Sequence, residues 1–253
     1  MIKTFANTTV PRILAFLQRR KLPLMLIALL FLFALQTGND LLRALETDVA
    51  SQSIGTTSAG ELHHGKRLPS SGANFTTYSR LGSLIGRTCV PDRVRDAILG
   101  AYETLAEDRP ATHFTFGETA WCAGGGRLRP HRTHQNGLAV DFMVPVLTHA
   151  GEPAFFPAWP WTKFGYGVDF DVRGQTKNLK IDFDAIAAHL LALERTARAQ
   201  GLKIDRVIFA PELRDALFNA VGGKEVRARI EFMKGKAWVR HDEHYHVDFA
   251  VLR

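Results

Sequence analysis

The sequence predicts an α+β domain with a mostly antiparallel central sheet flanked by helices. Three observations lead to this fold class: two segments with apolar residues at helical spacing, four short β-rich runs, and no regular alternation between the two kinds of segment. The chain has 253 residues, of which 46% are hydrophobic and 23% are charged. This length and composition suit one substantial hydrophobic core.

Both predicted helices have recognisable boundaries. The first begins after Pro91 and Asp92, and its core-facing positions follow helical spacing at Val94, Ile98, Ala101 and Leu105. The second runs from about residue 184 to residue 200 and ends at Gly201. The predicted strands lie at residues 113–116, 138–144, 207–210 and 245–252.

Residues 1–37 have the layout of an export signal. A basic stretch that ends in Arg19, Arg20 and Lys21 precedes an apolar run over residues 22–35. This run is shorter than the roughly 20 residues that cross a bilayer comfortably, which favours a cleaved signal peptide. Residues 34–36 form a poor cleavage site, so an uncleaved inner-membrane anchor stays open. In both cases the body of the protein is exported to the periplasm.

The net charge of +7 is concentrated before residue 37, where five basic residues and no acidic residue occur. The rest of the chain therefore carries an excess of only two positive charges. A nearly neutral body lacks the basic surface of a nucleic-acid-binding protein, so we exclude nucleic acid as a partner.

Cys89 and Cys122 are the only cysteines in the chain. In an oxidising compartment they are expected to form a disulfide that closes a loop of about 30 residues and stabilises the fold by roughly 2–4 kcal/mol. Two buried free thiols are the alternative, because a sequence gives no distance. Neither cysteine has the spacing of a metal ligand.

Two histidine clusters lie more than 100 residues apart: HRTHQNGLAVD at 131–141 and HDEHYH at 241–246. Together they offer three ligands for a metal ion, His134, Asp141 and His246. A set of two histidines and one carboxylate favours Zn²⁺ and leaves one coordination position for water, as in hydrolytic zinc sites. The alternative is a polar, hydrogen-bonded cluster without a metal.

The predicted strands give this motif a geometry. His244 and His246 are two residues apart on a strand and therefore point to the same face. Asp141 lies inside the strand at 138–144, and His134 precedes it in a loop where Gly137 permits a tight entry. The three ligands surround one ion only if the two strands are neighbours.

A hydrolytic site also needs a group that transfers protons. The candidates are His244, which shares a face with His246, then His241, and then Glu243, which a regular strand would place on the opposite face. His131 is expected to bind substrate, to bind a second ion, or to cap a turn.

At these residues the chain resembles the penicillin-insensitive murein endopeptidases, which belong to the zinc peptidase group of lysostaphin, the D-Ala-D-Ala peptidases and the hedgehog signalling domain. The shared patterns are H-x6-D and H-x-H, and the murein branch adds the approach GGGRLRPHRTHQNGLAVD at 124–141 and the ending H-x-x-H-x-H. The likeness spans roughly residues 50–250. The linker-like segment 51–60 is therefore expected to be part of the domain.

The resemblance implies a zinc metallopeptidase domain at residues 50–253, with a fold like that of the hedgehog domain and the D-Ala-D-Ala peptidases. It implies Zn²⁺ at His134, Asp141 and His246, catalytic roles for His241 and His244, and a metal-associated position at His131. The implied substrate is the D-alanyl to meso-diaminopimelyl cross-bridge of peptidoglycan. Ala139 departs from the family pattern, where an acidic residue stands, and no Asp-x-x-His pair occurs at 145–180, so one zinc is expected.

Two other functions stay open. A D,D- or L,D-carboxypeptidase with the same zinc would need a cationic pocket for the terminal carboxylate, which Arg127, Arg129 or Arg132 would provide. A zinc-stabilised cell-wall binding module would need no catalytic residue. The aromatic segment 154–167 is expected either to wall the cleft or to form a satellite core. The sequence does not predict the oligomeric state.

Overall fold

A computed structural model describes the backbone of residues 9–235 and 237–252 and the side chains from residue 21 onward, except residue 22. The first eight residues of the predicted export segment lie outside the described part. The long helices are α1 (Thr9–Ala44), α3 (Asp92–Asp108) and α4 (Phe183–Ala199), and the short ones are α2 (Arg80–Leu84), α5 (Arg214–Asn219) and α6 (Gly223–Arg229). Two 3-10 segments lie at Pro160–Gly165 and Pro211–Leu213.

The strands up to the metal motif are β1 (Gln52–Gly55), β2 (Gly60–His63), β3 (Lys66–Arg67), β4 (Phe75–Thr77), β5 (Cys89–Val90), β6 (Phe114–Phe116) and β7 (Gly124–Gly125). The remaining strands are β8 (Ala139–Met143), β9 (Val146–Thr148), β10 (Pro153–Ala154), β11 (Leu179–Ile181), β12 (Leu202–Ile208) and β13 (His244–Val251). The predicted α+β class is confirmed.

The central sheet has five strands in the order β12-β13-β8-β6-β4. All its pairs are antiparallel except β4 with β6. β8 and β13 are therefore neighbours, as the metal hypothesis requires. Their register places His246 opposite Asp141 and His244 opposite Met143.

The two faces of this sheet have different roles. Phe142, Tyr245 and Val247 point into the hydrophobic core with residues of α3 and α4. Because side chains alternate along a strand, Asp141 and His246 point to the other face. One pair of strands thus supplies both core side chains and site side chains.

The predicted helices agree with the structure. Helix α3 begins at Asp92, directly after Pro91, which suits the first turn because proline lacks a donor there. The N-cap of α4 is Asp182, whose side chain accepts a hydrogen bond from the backbone N–H of Ala185. Both helices bury their predicted apolar faces.

The strand predicted at 207–210 is wrong in position. β12 runs from Leu202 to Ile208, and Phe209 and Ala210 follow it. A register shift between Ile204 and Arg206 breaks the two-residue alternation of apolar side chains in this strand. Without that alternation, the sequence pattern did not indicate its first half.

Residues 51–60 belong to the folded domain, because β1 and β2 form an antiparallel hairpin there and β2 also pairs with β7. The predicted disulfide between Cys89 and Cys122 is also confirmed. It links β5 to the segment that leads into the Gly-rich approach to the histidine motif.

Helix α1 continues past residue 37, the predicted end of the export segment. Its part from Pro23 to Ala44 is long and apolar enough to cross a membrane.

Candidate metal centre

The register of β8 and β13 brings Asp141 and His246 into contact. Oδ1 of Asp141 lies 2.8 Å from Nδ1 of His246 and 3.8 Å from Nε2 of His244. All three residues are buried. The two predicted histidines of β13 therefore share the face of Asp141, as the strand alternation predicted.

His134 reaches the same carboxylate from the loop before β8. Its backbone is left-handed, with φ of 72°, and Gly137 follows with φ of 77°. A Cβ on Gly137 would lie 2.8 Å from Cδ of Pro91, so glycine is required in this tight entry. Nε2 of His134 lies 3.3 Å from Oδ1 of Asp141.

His131 lies at the outer side of this group. Its Nε2 donates to Oε2 of Glu118 at 2.6 Å, and its Nδ1 lies 3.6 Å from Oδ2 of Asp141. One donor atom each from His131, His134 and Asp141 lies within 4.8 Å of the others, a spacing that a metal ion can bridge. His246 joins them through its contact with Asp141.

The hydrogen bonds of the two buried histidines fit a metal ligand set. Nδ1–H of His134 donates to the carbonyl of Ala139 at 3.0 Å, and Nε2–H of His246 donates to Oδ1 of Asp248 at 2.9 Å. Metal-binding histidines commonly donate one ring N–H to such an acceptor and ligate through the other nitrogen. That other nitrogen in His134, Nε2, is buried and faces Oδ1 of Asp141 at 3.3 Å, without a hydrogen bond to any residue that the structure describes.

The electrostatics of the group favour a cation. Burial opposes ionisation of Asp141, but the electrostatic attraction of the His134 and His244 rings and the hydrogen bond with His246 hold the pKa of its carboxyl well below the ordinary value. Burial also lowers the pKa of His134, so this ring is neutral and able to ligate. Zn²⁺ is the common metal for such a His and Asp set.

The predicted proton-transfer residues lie beside these ligands. Nδ1–H of His244 donates to Oε1 of Glu243 at 3.0 Å, and the ring of His241 lies 4.6 Å from that of His244. β13 begins only at His244, so Glu243 precedes the regular strand and its side chain turns toward His244. The regular strand that would turn Glu243 away from the site is therefore absent at this residue, and Glu243 lines the cleft beside His244.

His241 and His244 differ in charge preference. Burial and the neighbouring charge of His244 lower the pKa of His241 to about 4. Burial also disfavours the charged form of His244, but the negative charges of Asp141 and Glu243 raise its pKa above the ordinary value. His244 is thus the better place to hold a proton near neutral pH.

A cleft of about 880 Å³ opens above this group. His131, His241, Glu243, His244 and His246 all line it, whereas His134 and Asp141 lie beneath its floor. The structure therefore brings every predicted site residue to one place.

The model of the penicillin-insensitive murein endopeptidase family matches residues 53–251. This chain belongs to that family. Among curated proteins, none matches it significantly. The range that the family model matches contains both histidine clusters and every strand of the central sheet.

The aromatic segment walls the cleft, as one prediction held, but its buried part joins the main core rather than a satellite core. Phe164 and Tyr166 line the cleft, whereas Phe156 is buried in the core. Trp159 and Trp161 stack on each other at the surface.

Three residues of the site were not found from the sequence. The hydroxyl of Tyr166 donates to Oδ2 of Asp141 at 2.9 Å and accepts from the backbone N–H of Glu118 at 2.9 Å. The carboxylate of Glu118 accepts a hydrogen bond from His131, and the carboxylate of Asp248 accepts one from His246. For Asp248 a signal existed, because it follows His246 by two residues and shares its face.

Proposed function

We propose that this protein is a zinc-dependent murein endopeptidase that hydrolyses D-alanyl to meso-diaminopimelyl cross-bridges between the stem peptides of peptidoglycan. The observation that carries the proposal is the convergence of His134, Asp141 and His246 beneath one cleft. The family match supports the substrate, because it implies peptidoglycan. The proposed domain comprises residues 50–253.

In this proposal His134, Asp141 and His246 hold Zn²⁺, and His131 borders the site through its contacts with Asp141 and Glu118. A zinc ion held there would supply Lewis-acid chemistry toward a peptide carbonyl and water. The buried Nε2 of His134, which faces Asp141, and the low pKa of Asp141 both favour this ligand set.

His244 is the proposed general acid/base. Its Nδ1–H is held by Glu243, so the tautomer is set and Nε2 faces the site, 3.8 Å from Asp141. From there Nε2 would accept a proton from water and deliver it to the leaving amine. Glu243 orients the ring of His244 and favours its protonated form. His241 lies next to His244 and is the second candidate for the acid/base.

The cleft suits a peptide rather than a small metabolite. Its volume is about 880 Å³, and apolar and aromatic side chains, including Phe164, Tyr166 and Trp238, line part of it. We place this activity in the periplasm, where peptidoglycan lies, because the apolar N-terminal helix fits export.

One observation, a cationic side chain in the cleft, is also compatible with a carboxypeptidase. Arg132 lines the cleft, with its guanidinium 5.0 Å from the ring centre of Trp238, whereas Arg127 and Arg129 are not among the cleft-lining residues. A cation at this position would bind either a terminal carboxylate or a side-chain carboxylate of the stem peptide.

Purified cross-linked and uncross-linked muropeptides distinguish these functions. We expect the protein to convert dimers to monomers without release of free D-alanine, to lose this activity with a chelator, and to regain it with zinc. Release of D-alanine from monomers would instead identify a carboxypeptidase. No cleavage by zinc-loaded protein would support a binding module.

His244→Ala tests the catalytic role separately. We expect turnover to fall by about 10²- to 10⁴-fold, because proton transfer is lost, while the zinc content stays unchanged. His63→Ala is the control, since His63 is exposed on β2. Full activity of His244→Ala would contradict the assignment.

A further inference from the structure

Within the part of the chain that the structure describes, most of the apolar part of α1 is exposed and packs against no other element. The large apolar side chains from Leu24 to Phe33 are all more than half exposed, with Leu24 at 63% and Phe33 at 61%. A buried core helix is therefore excluded for this segment. The part of the helix before its docked end, residues 23–35, measures about 20 Å, so the roughly 30 Å core of a bilayer would have to thin locally and the basic side chains before this part would have to reach the head groups.

The end of the same helix is built into the folded domain. Asn39 is 1% exposed, and its Nδ2 donates to the carbonyl of Leu68 at 2.9 Å and to Oγ of Ser70 at 3.1 Å. Its Oδ1 accepts a hydrogen bond from Nη1 of Arg67 at 3.0 Å. A buried amide with three partners fixes the helix rotation and depth at this point.

The chain that follows the helix is also fixed. Nζ of Lys66 donates to the carbonyls of Thr47 and Val49, and Oε1 of Glu46 accepts from the backbone N–H of Arg67 at 2.6 Å. Lys66 is itself buried. No flexible linker therefore separates α1 from the domain.

These contacts argue against removal of the helix as a signal peptide. The nearest match to a small-x-small cleavage site, residues 34–36, lies inside α1, and the carbonyl of Gln36 accepts a hydrogen bond from Nη1 of Arg80 at 3.0 Å. Cleavage would also sever the segment whose next turn holds Asn39.

The docked end of α1 lies directly behind the cleft. A Cβ on Gly38 would lie 2.6 Å from Cδ1 of Leu84, so glycine permits close packing against α2. The other side of α2 belongs to the cleft, which Leu81 and Ile85 line. Leu81 is 40% exposed and Ile85 is 54% exposed, although both are large and apolar.

We propose that α1 is retained as a membrane anchor and that its docked end holds the cleft, through α2, against the outer surface of the lipid bilayer. The basic residues Arg19, Arg20 and Lys21 precede the apolar segment, a charge placement that suits the inner, anionic face of the membrane. Leu81 and Ile85 then meet the lipid interface rather than bulk water.

This placement restricts the substrate, a consequence that rests on the proposed function. A domain of about 200 residues is roughly 40 Å across, so a rigidly docked cleft reaches only peptidoglycan next to the membrane. A freely diffusing periplasmic hydrolase would have no such restriction.

The first test follows the full chain in a Gram-negative host. We expect an intact mass that includes residues 1–253, and sedimentation with membranes after alkaline carbonate extraction. A soluble periplasmic species that begins after residue 36 would overturn the proposal. Both readouts are independent of hydrolysis, so they do not depend on the proposed activity.

The second test measures how close the cleft lies to the lipid. Ile85→Cys in the full chain is labelled with an environment-sensitive fluorophore, and the protein is reconstituted in liposomes with head-group spin-labelled lipid. We expect strong quenching, and at least a twofold loss of quenching when Asn39→Leu is added, because that change releases the docked end while the span remains. Absence of quenching with Asn39 intact would show that the domain stands away from the bilayer and would overturn the docking.

Discussion

Nε2 of His246 lies 2.9 Å from Oδ1 of Asp248, two residues later on the same face of β13. The other oxygen of Asp248 forms a salt bridge with Arg206 on the neighbouring strand β12. Burial opposes ionisation of Asp248, but the hydrogen bonds and charges of His246 and Arg206 lower its pKa. Asp248 therefore sets which nitrogen of His246 carries a proton and which one faces Asp141.

Asp248→Asn is expected to weaken zinc binding by about 10- to 100-fold, the usual effect of removing such a partner of a ligand. The guanidinium of Arg206 would bind the amide oxygen of the asparagine and turn its NH₂ toward His246, which favours the wrong tautomer. Competition with a fluorescent chelator measures the affinity. Asp205→Asn is the control, because Asp205 is exposed on β12 and pairs only with Lys203 among the contacts of the structure. Equal zinc affinity in both variants would contradict this role.

Glu243→Gln separates an orienting role from a catalytic one. Because Glu243 contributes to the raised pKa of His244, its loss is expected to move the acidic limb of the kcat/KM profile to lower pH. We expect kcat to fall by about tenfold, less than the about 10²- to 10⁴-fold loss in His244→Ala. If Glu243→Gln were as inactive as His244→Ala and the limb did not move, Glu243 itself would be the base.

The sequence predicted the parts of the site that depend on local rules. Alternation along a strand placed His244 and His246 on one face, and the position of Gly137 indicated a tight entry to β8. The strand adjacency that joins Asp141 to His246 was assumed from the motif, and the sheet order now supplies it. The spacing of residues in the sequence thus identified the members of the site. The pairing of β8 with β13 in the folded chain determines the distances between them.

The residues that the sequence missed depend on long-range contacts. Tyr166 reaches Asp141 across 25 positions and lies in an aromatic segment without a metal-binding pattern. Glu118 meets Arg87 and His131 from a loop after β6. No periodicity relates such residues, since each is placed by the packing of separate elements.

Tyr166→Phe tests the hydroxyl that bridges Asp141 and Glu118. The variant leaves the buried backbone N–H of Glu118 without an acceptor, so the free energy of unfolding is expected to fall by about 1–3 kcal/mol. Tyr102→Phe is a matched control, because the Tyr102 hydroxyl is buried and makes no hydrogen bond to any described residue. Urea denaturation of the metal-free proteins measures both. A larger loss in Tyr102→Phe would contradict this account.

The disulfide is expected to stabilise the approach to the histidine motif. Replacement of Cys89 and Cys122 by serine opens a loop of 33 residues, which costs about 3–4 kcal/mol by loop entropy. Thermal unfolding with and without dithiothreitol checks this value. Reductant should lower the Tm of the native protein and leave the Tm of the double variant unchanged. If reductant changed the Tm of neither protein, the stabilising role of the disulfide would be refuted.

Glu118 makes stability depend on pH. Burial opposes ionisation of its carboxyl, but the hydrogen bonds and charges of His131 and Arg87 lower its pKa to about 2. A depressed carboxyl pKa stabilises the folded state above the ordinary value of 4.5, and this stabilisation is lost as the pH falls toward 2. The shift corresponds to about 3 kcal/mol.

Glu118→Gln removes this dependence. In metal-free protein, the difference in unfolding free energy between the native chain and this variant is expected to approach about 3 kcal/mol at pH 7 and to shrink steadily between pH 4.5 and pH 2. Urea denaturation across this range measures it, with Glu103→Gln on the exposed side of α3 as the control for loss of a carboxylate. A difference that stays constant with pH would mean that Glu118 acts through packing, because only a titrating carboxylate couples its contribution to proton uptake.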